Sequence, residues 1–188
     1  MSNSSLAFAF DPPSPPLVVT AAKAIAVQLA AGSALSRSDI NRTMTDHFGG
    51  TDALGAWSVR DAHAALELAQ VQHLQASDQI QLSSPIDEAD QFFCCLDDRI
   101  PTQTNRSDEQ IEWQQFSTPV DIAAVMTLLA NVQPDDIVLE PSAGNGLLVA
   151  QLPAVAALQL NEIDPTRRAR LEAAFPDTQV SGHDGAMV

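Results

Sequence analysis

The stretch Val138-Leu139-Glu140-Pro141-Ser142-Ala143-Gly144-Asn145-Gly146 constrains this fold more than any other. A short apolar run ends in an acid, a turn with two glycines follows, and then a helical pattern begins. Glycine lacks a Cβ, so the backbone can turn sharply there and lie against a ligand. A helix starting at that turn would aim its unpaired N–H groups at the same spot. An α/β protein holds a nucleotide-like cofactor in this way. The flanking pattern agrees. Ile137–Glu140 reads as a short buried strand, residues 146–152 as a helix stopped by Pro153, and residues 157–162 as a second strand. Residues 166–175 read as a helix with Leu171, Ala174 and Phe175 on one face, and Gln179–Ser181 as a third strand. The alternation predicts a parallel sheet with right-handed crossovers. Ahead of it, Ile122, Val125, Met126 and Leu129 fall at i, i+3, i+4 and i+7, an amphipathic helix with Pro119 at its first turn.

The first part of the chain has a different character. Residues 1–19, with Pro12, Pro13, Pro15 and Pro16, read as a disordered proline-rich tail. Residues 20–76 read as a small helical unit. One helix starts near Thr20 and stops at Gly32. Ser38 N-caps a second, which carries Ile40 and Met44 and stops at Gly49-Gly50. Ser58 and Asp61 form a capping box for a third, with Ala62, Leu66, Leu68 and Ala69 on its apolar side. Residues 77–112 form an acidic connecting segment, within which residues 91–96 read as a short strand or helix. Residues 113–188 carry the α/β pattern.

Charge narrows the partners. Nine Lys and Arg stand against 24 Asp and Glu, a formal net charge of −15 in 188 residues. Such a chain repels a phosphate backbone on average. Contact with DNA then needs a partner segment or a local basic patch, and the one local cluster is Arg167, Arg168 and Arg170, which reads as a solvated helix face. No apolar run is long enough to span a membrane, no secretory signal is evident, and the expected location is cytoplasmic. Cys94 and Cys95 are adjacent, without zinc or CxxC spacing, and read as reduced thiols. Trp57 and Trp113 read as packing anchors.

In doubly wound sheets the ligand lies at the carboxyl ends of the strands. Three groups fall there: the glycine turn, Glu162 at the end of the second strand, and Asp184 just past the third. Glu162 suits a ribose diol. Asp164 is the rival acid, although Asp164-Pro165 reads as N-cap and N1 of the next helix. Asp184 suits an adenine amino group or serves only as a turn residue, and His183 beside it reads as a loop histidine. The third glycine of the dinucleotide fingerprint is replaced by Val149, and no P-loop lysine follows. A cofactor with an adenosine end and no phosphate fits better, namely S-adenosyl-L-methionine.

Gln115-Phe116-Ser117-Thr118-Pro119, then Glu140-Pro141-Ser142-Ala143-Gly144-Asn145-Gly146, then Asn161-Glu162-Ile163-Asp164-Pro165 resembles the class I adenosylmethionine-dependent N6-adenine DNA methyltransferases. The resemblance implies a partial Rossmann-like sheet preceded by the helical unit. It places Phe116, Thr118 and Pro119 at the methionine end of the cofactor and Glu140, Ser142, Gly144 and Gly146 around its amino acid and ribose. It puts Glu162 and Ile163 at the ribose hydroxyls and Asp184 at the adenine. Phe48-Gly49-Gly50-Thr51-Asp52-Ala53-Leu54-Gly55-Ala56-Trp57 and Pro101-Thr102-Gln103-Thr104-Asn105-Arg106-Ser107 extend it. Over residues 20–186 the chain is similar to the N-terminal region of strawberry notch-type proteins, which join a methyltransferase-like domain to a helicase.

The family's catalytic motif is an Asn or Asp, two prolines and an aromatic after a fourth strand, with the aromatic stacking on a flipped base. It does not occur before Val188, so no catalytic residue is assigned and an incomplete methyltransferase is expected. Asp11-Pro12-Pro13-Ser14 imitates the motif, but Ser14 has no π face. The alternative expectation is a non-catalytic recognition or scaffold module of a larger methyltransferase–helicase. A three-stranded sheet would also leave an apolar edge open to self-association.

Overall fold

Pro16 opens the first helix, because its carbonyl accepts from Val19 N at 2.8 Å while its own ring lacks a donor. The computed structural model describes residues 16–77, 96, 98–101 and 117–185. The tail before Pro16, the two cysteines, Trp113, Phe116 and nearly all of the acidic segment lie outside them, as does the Asp11-Pro12-Pro13-Ser14 imitation of the catalytic motif.

Helix α1 (Leu17–Ala30) begins three residues before Thr20, since Val18 and Val19 belong to its buried face. Gly32, at φ +78°, follows its end as expected. Helix α2 (Arg37–Phe48) is capped by Ser36 rather than Ser38. A capping box is completed by a side-chain acceptor three residues on, and the Asp39 carboxylate fills that place for Ser36. Ser36 Oγ accepts from Asp39 N at 3.2 Å, and Asp39 Oδ2 accepts from Ser36 N at 3.0 Å. Helix α3 (Val59–Ala76) carries the same device at Ser58 and Asp61. Its residues Ala62, Leu66, Leu68 and Ala69 are buried. Trp57 is buried and donates its Nε1–H to Gly50 O at 2.9 Å, pinning the loop between α2 and α3.

The second part is a parallel sheet of three strands in the order β1 (Ile137–Glu140), β2 (Ala157–Asn161), β3 (Gln179–Ser181). Helix α4 (Val120–Ala130) precedes the sheet and α5 (Pro165–Ala174) joins β2 to β3. Asp164 caps α5, its Oδ1 accepting from Thr166 N and Arg167 N, with Pro165 at N1. The fold is α/β, as the alternation predicts.

Two expectations fail here. Residues 146–152 do not form a full helix; Leu147–Val149 makes a single 3-10 turn. Six residues before Pro153 are too few to offset the entropy of nucleating a helix, and the residue preceding a proline is pushed out of the helical region. No α-helix therefore starts at the glycine turn itself. Secondly, the apolar stripe of α4 points outward: Val120, Ala123 and Ala124 are buried, while Ile122, Val125 and Met126 are about half exposed and Leu129 is 79% exposed. Strand β1 is likewise not buried, with Ile137 76% and Leu139 61% exposed on its open side. The periodicity correctly gave an apolar face. That face has no partner among the described residues.

One continuous core runs from α1 through α3 into β2 and α5, from Ile25 and Leu29 to Leu160, Leu171 and Phe175. Polar contacts line the same seam. Arg60 Nη2 approaches Asp164 Oδ2 at 3.4 Å, and Arg170 Nη2 donates to Asp61 Oδ1 at 3.1 Å. Asn145 Nδ2 donates to Glu67, Gln151 Nε2 donates to the Leu74 carbonyl, and Gln75 Nε2 donates to Ala174 O at 3.3 Å. Positions 60, 67 and 74 are two helical turns apart, so one stripe of α3 faces the α/β part throughout. None of the described helices is long and apolar enough to cross a membrane.

Candidate functional site

Parallel pairing puts Glu140, Glu162 and Asp184 at or just beyond the carboxyl ends of β1, β2 and β3. The glycine turn is built from its own backbone. Ser142 N donates to Glu140 Oε1 at 3.0 Å, so Glu140 braces the turn. Ala143 N donates to Asn161 O at 2.9 Å and Gly146 N to Ala143 O at 2.8 Å. The two glycines then do different things. Gly144, at φ +58°, has the Arg167 guanidinium against it: a Cβ built there would stand 2.5 Å from Arg167 Nη2. Gly146, at φ +91°, faces the core, and a Cβ there would stand 2.3 Å from Phe175 Cε2. Gly144 lies under Arg167 at the edge of a cleft, while Gly146 permits close packing of the turn on α5.

Glu162 is buried and joins the turn to the second strand. Its Oε2 accepts from Gly144 N at 2.9 Å and its Oε1 from Asp164 N at 2.9 Å. Arg167 Nε lies 3.9 Å from Oε2, an ion pair beyond hydrogen-bond reach. Two of the carboxylate's roughly four lone-pair sites are thereby used. Asp164, the rival acid, is committed to capping α5.

Asn161 organises the far side. Its Nδ2 donates to Pro141 O and His183 O, both at 3.0 Å, and its Oδ1 accepts from Ser181 Oγ at 2.8 Å and His183 N at 2.9 Å. One buried amide thus fixes the exit of β1 and the loop carrying Asp184 relative to each other. Asp184 and Ile163 are exposed.

A cleft of about 40 Å³ opens beside Gly144. The turn contributes Ser142, Gly144 and Asn145 to it, the segment before α4 contributes Ser117 and Thr118, α5 contributes Arg167, and α3 contributes Glu67. A smaller cavity of about 20 Å³ adjoins it, lined also by Arg60, His63 and Arg170. Pro119 stands at the start of α4 as its N-cap. Of the residues expected at a cofactor, Thr118, Ser142 and Gly144 line the cleft, and Glu162 lies behind Gly144 and Arg167.

Glu67, Asn145 and Arg167 are among the lining residues not singled out from the sequence for this role. Asn145 is buried, and its Oδ1 has no hydrogen-bond partner among the described residues. A carboxylate only accepts, so the bond to Glu67 orients the amide and leaves Oδ1 as the unmatched end. An unmatched buried acceptor costs about 1–3 kcal/mol. The seven-residue spacing of Arg60, Glu67 and Leu74 was the available signal for Glu67. Nothing local marks Asn145.

The arginine cluster is not a solvated face. Arg170 is buried against Asp61, Arg167 lies against Glu162, and Arg168 Nη1 donates to Glu162 O at 3.1 Å. Burial pulls the Arg170 guanidinium below its ordinary pKa, and the Asp61 carboxylate opposes the shift. Burial likewise lowers His63, with Glu67 opposing and Arg37 reinforcing.

Comparison of the chain with protein-family models, with curated proteins and with solved structures finds no match.

Proposed function

We propose that the chain is an S-adenosylmethionine-binding module of the N6-adenine DNA methyltransferase type, with a Rossmann-like class I sheet. The observation that carries the reading is the bond from Gly144 N to Glu162 Oε2 at the carboxyl end of a parallel sheet. It brings the glycine turn and the second-strand acid together, the two elements that cradle an adenosyl group. The cleft supplies hydroxyls from Ser117, Thr118 and Ser142 for the amino-acid end, and Glu162 lies directly behind its Gly144 wall. The unmatched Asn145 Oδ1 supports a ligand carrying a donor. When bound, the cofactor would supply a sulfonium methyl group, and the residues here would position it rather than exchange protons. DNA is proposed as the acceptor by resemblance only, and a cytoplasmic location goes with it.

Calorimetric titration of the folded chain with S-adenosylmethionine tests this reading. Saturable binding is expected, and absence of any saturable signal up to about millimolar ligand, a binding free energy weaker than about 4 kcal/mol, would sink it.

A second reading, a non-catalytic scaffold module, is favoured by one observation. The cleft of about 40 Å³ has room for a few water-sized groups, not a nucleoside, and Arg167 lies over Gly144. A methyl-transfer assay on unmodified DNA separates the two, because turnover by these 188 residues would exclude the scaffold. The exposed apolar residues of α4 and β1 support self-association under either reading, and sedimentation at rising concentration checks it.

A further inference from the structure

We propose that the cleft between α3 and the glycine turn is an α-amino-acid subsite, in which Glu67 and Asn145 Oδ1 take a ligand's ammonium group and Arg167 takes its carboxylate. The inference rests on the adenosylmethionine reading and assigns the helical unit a direct part in it. Three observations carry it.

The first is the chemistry of the lining. An anionic carboxylate and a guanidinium both border one small cleft. A zwitterion complements that pair, whereas a lone anion would meet Glu67 and a lone cation would meet Arg167. The second is Asn145 Oδ1, a buried acceptor with no partner among the described residues. Its own Nδ2 is held by Glu67, so acceptor and carboxylate stand beside each other. An ammonium group has three donors and can bond both. The third is size. About 40 Å³ accepts a head group of a few water-sized parts and leaves the bulk of a ligand outside the cleft. Arg167 is available for a carboxylate because its Nε stands 3.9 Å from Glu162, a contact longer than a hydrogen bond.

A metal ion fits the cleft poorly, because Glu67 is the one carboxylate lining it. Glu67 is supplied by α3, so cofactor affinity should depend on the helical unit staying docked.

The test is calorimetry on the full chain with two probes. S-adenosylhomocysteine carries the amino-acid end, and methylthioadenosine lacks it. The wild-type chain should prefer the former by ~10–100-fold, the range expected for charge-assisted hydrogen bonds. Glu67→Gln should reduce affinity for S-adenosylhomocysteine about tenfold or more and leave methylthioadenosine unchanged. The same variant should melt no lower than the wild type without ligand, because a glutamine amide can both accept from Asn145 Nδ2 and donate to Oδ1. Arg167→Met should lose the same preference. An unchanged preference in both variants overturns the subsite while leaving the adenosylmethionine reading standing. Equal losses for the two probes, together with a lower melting temperature, mark a structural role for Glu67 and also overturn it. Failure of the wild-type chain to bind either probe overturns the adenosylmethionine reading and the subsite together.

Discussion

Gly146→Ala should damage the fold, and Gly144→Ala should damage it less, although the two glycines share one turn. Both have positive φ, +91° and +58°, and an alanine forced into that region costs about 1–2 kcal/mol. The surroundings decide the difference. At Gly146 the new Cβ would lie 2.3 Å from Phe175 Cε2, 2.9 Å from Phe175 Cζ and 3.0 Å from Leu171 Cδ1. Both residues are buried, so neither ring nor branch can retreat without opening the core. Overpacking of this kind adds about 1–3 kcal/mol, for a total near 2–5 kcal/mol. At Gly144 the obstacle is the tip of Arg167, which can swing away, so the loss stays near the ~1–2 kcal/mol of backbone strain. Urea unfolding followed by circular dichroism measures both. Phe175→Leu in the Gly146→Ala background should restore part of the loss, a favourable coupling of roughly 1 kcal/mol. Equal losses at the two glycines, or no coupling to Phe175, would refute the assignment of Gly146 to packing and Gly144 to the cleft.

Asp61→Ala removes both a cap acceptor and the partner of buried Arg170, and should cost about 2–4 kcal/mol. Asp39→Ala removes the same cap in α2, where the partner Arg42 is 65% exposed, and should cost clearly less in the same denaturation assay. Acidification should destabilise the chain through His63 and His73, whose pKa values burial lowers from 6.5. The folded state keeps both neutral, the unfolded chain takes up protons first, and so stability falls as pH drops through about 6.5 toward the folded values. Melting temperatures at pH 7.5 and about 5.5 should differ less for a His63→Gln, His73→Gln variant than for the wild type; an equal difference would contradict the sign.

Local signals survived into the structure where the deciding interaction was local. Ser58 with Asp61, Asp164 with Pro165 and Gly32 each act within one helical turn, and each lies where the sequence put it. Ser38 was misread for Ser36 because the two serines stand two residues apart at the start of the same helix, and the acid three residues after Ser36 distinguishes them. Strand alternation in the second part was legible because β1 and β2 are separate apolar-rich runs between turn residues, with Val180 marking the short third strand. What covers an element was not legible. The stripe Ile122, Val125, Met126 and Leu129 has a helical period, yet the chain buries Val120, Ala123 and Ala124 instead. Periodicity reports a face, while burial depends on which partner lies opposite, and that is a long-range fact. Asn145 and Glu67 escaped for the same reason, since they meet across 78 positions of sequence.

The arginines show how far this long-range information changes the functional argument. By sequence, Arg167, Arg168 and Arg170 form the one local basic patch in a chain of net charge −15 and read as a solvated helix face. In the fold Arg170 is buried on Asp61, Arg168 bonds the Glu162 carbonyl, and Arg167 lies between Glu162 and Gly144. Arg168 and Arg170 are hydrogen-bonded to acceptors of this chain, Arg167 faces the buried Glu162 carboxylate from 3.9 Å, and Arg60 beside them approaches Asp164. A guanidinium held in that way releases no counterions from DNA, so the patch contributes little to the salt-dependent attraction that dominates such binding. The cluster that reads as a solvated helix face instead joins the helical unit to the α/β sheet. If the module serves a DNA methyltransferase, its part is to hold the methyl donor, and the grip on the acceptor strand has to come from cations other than these.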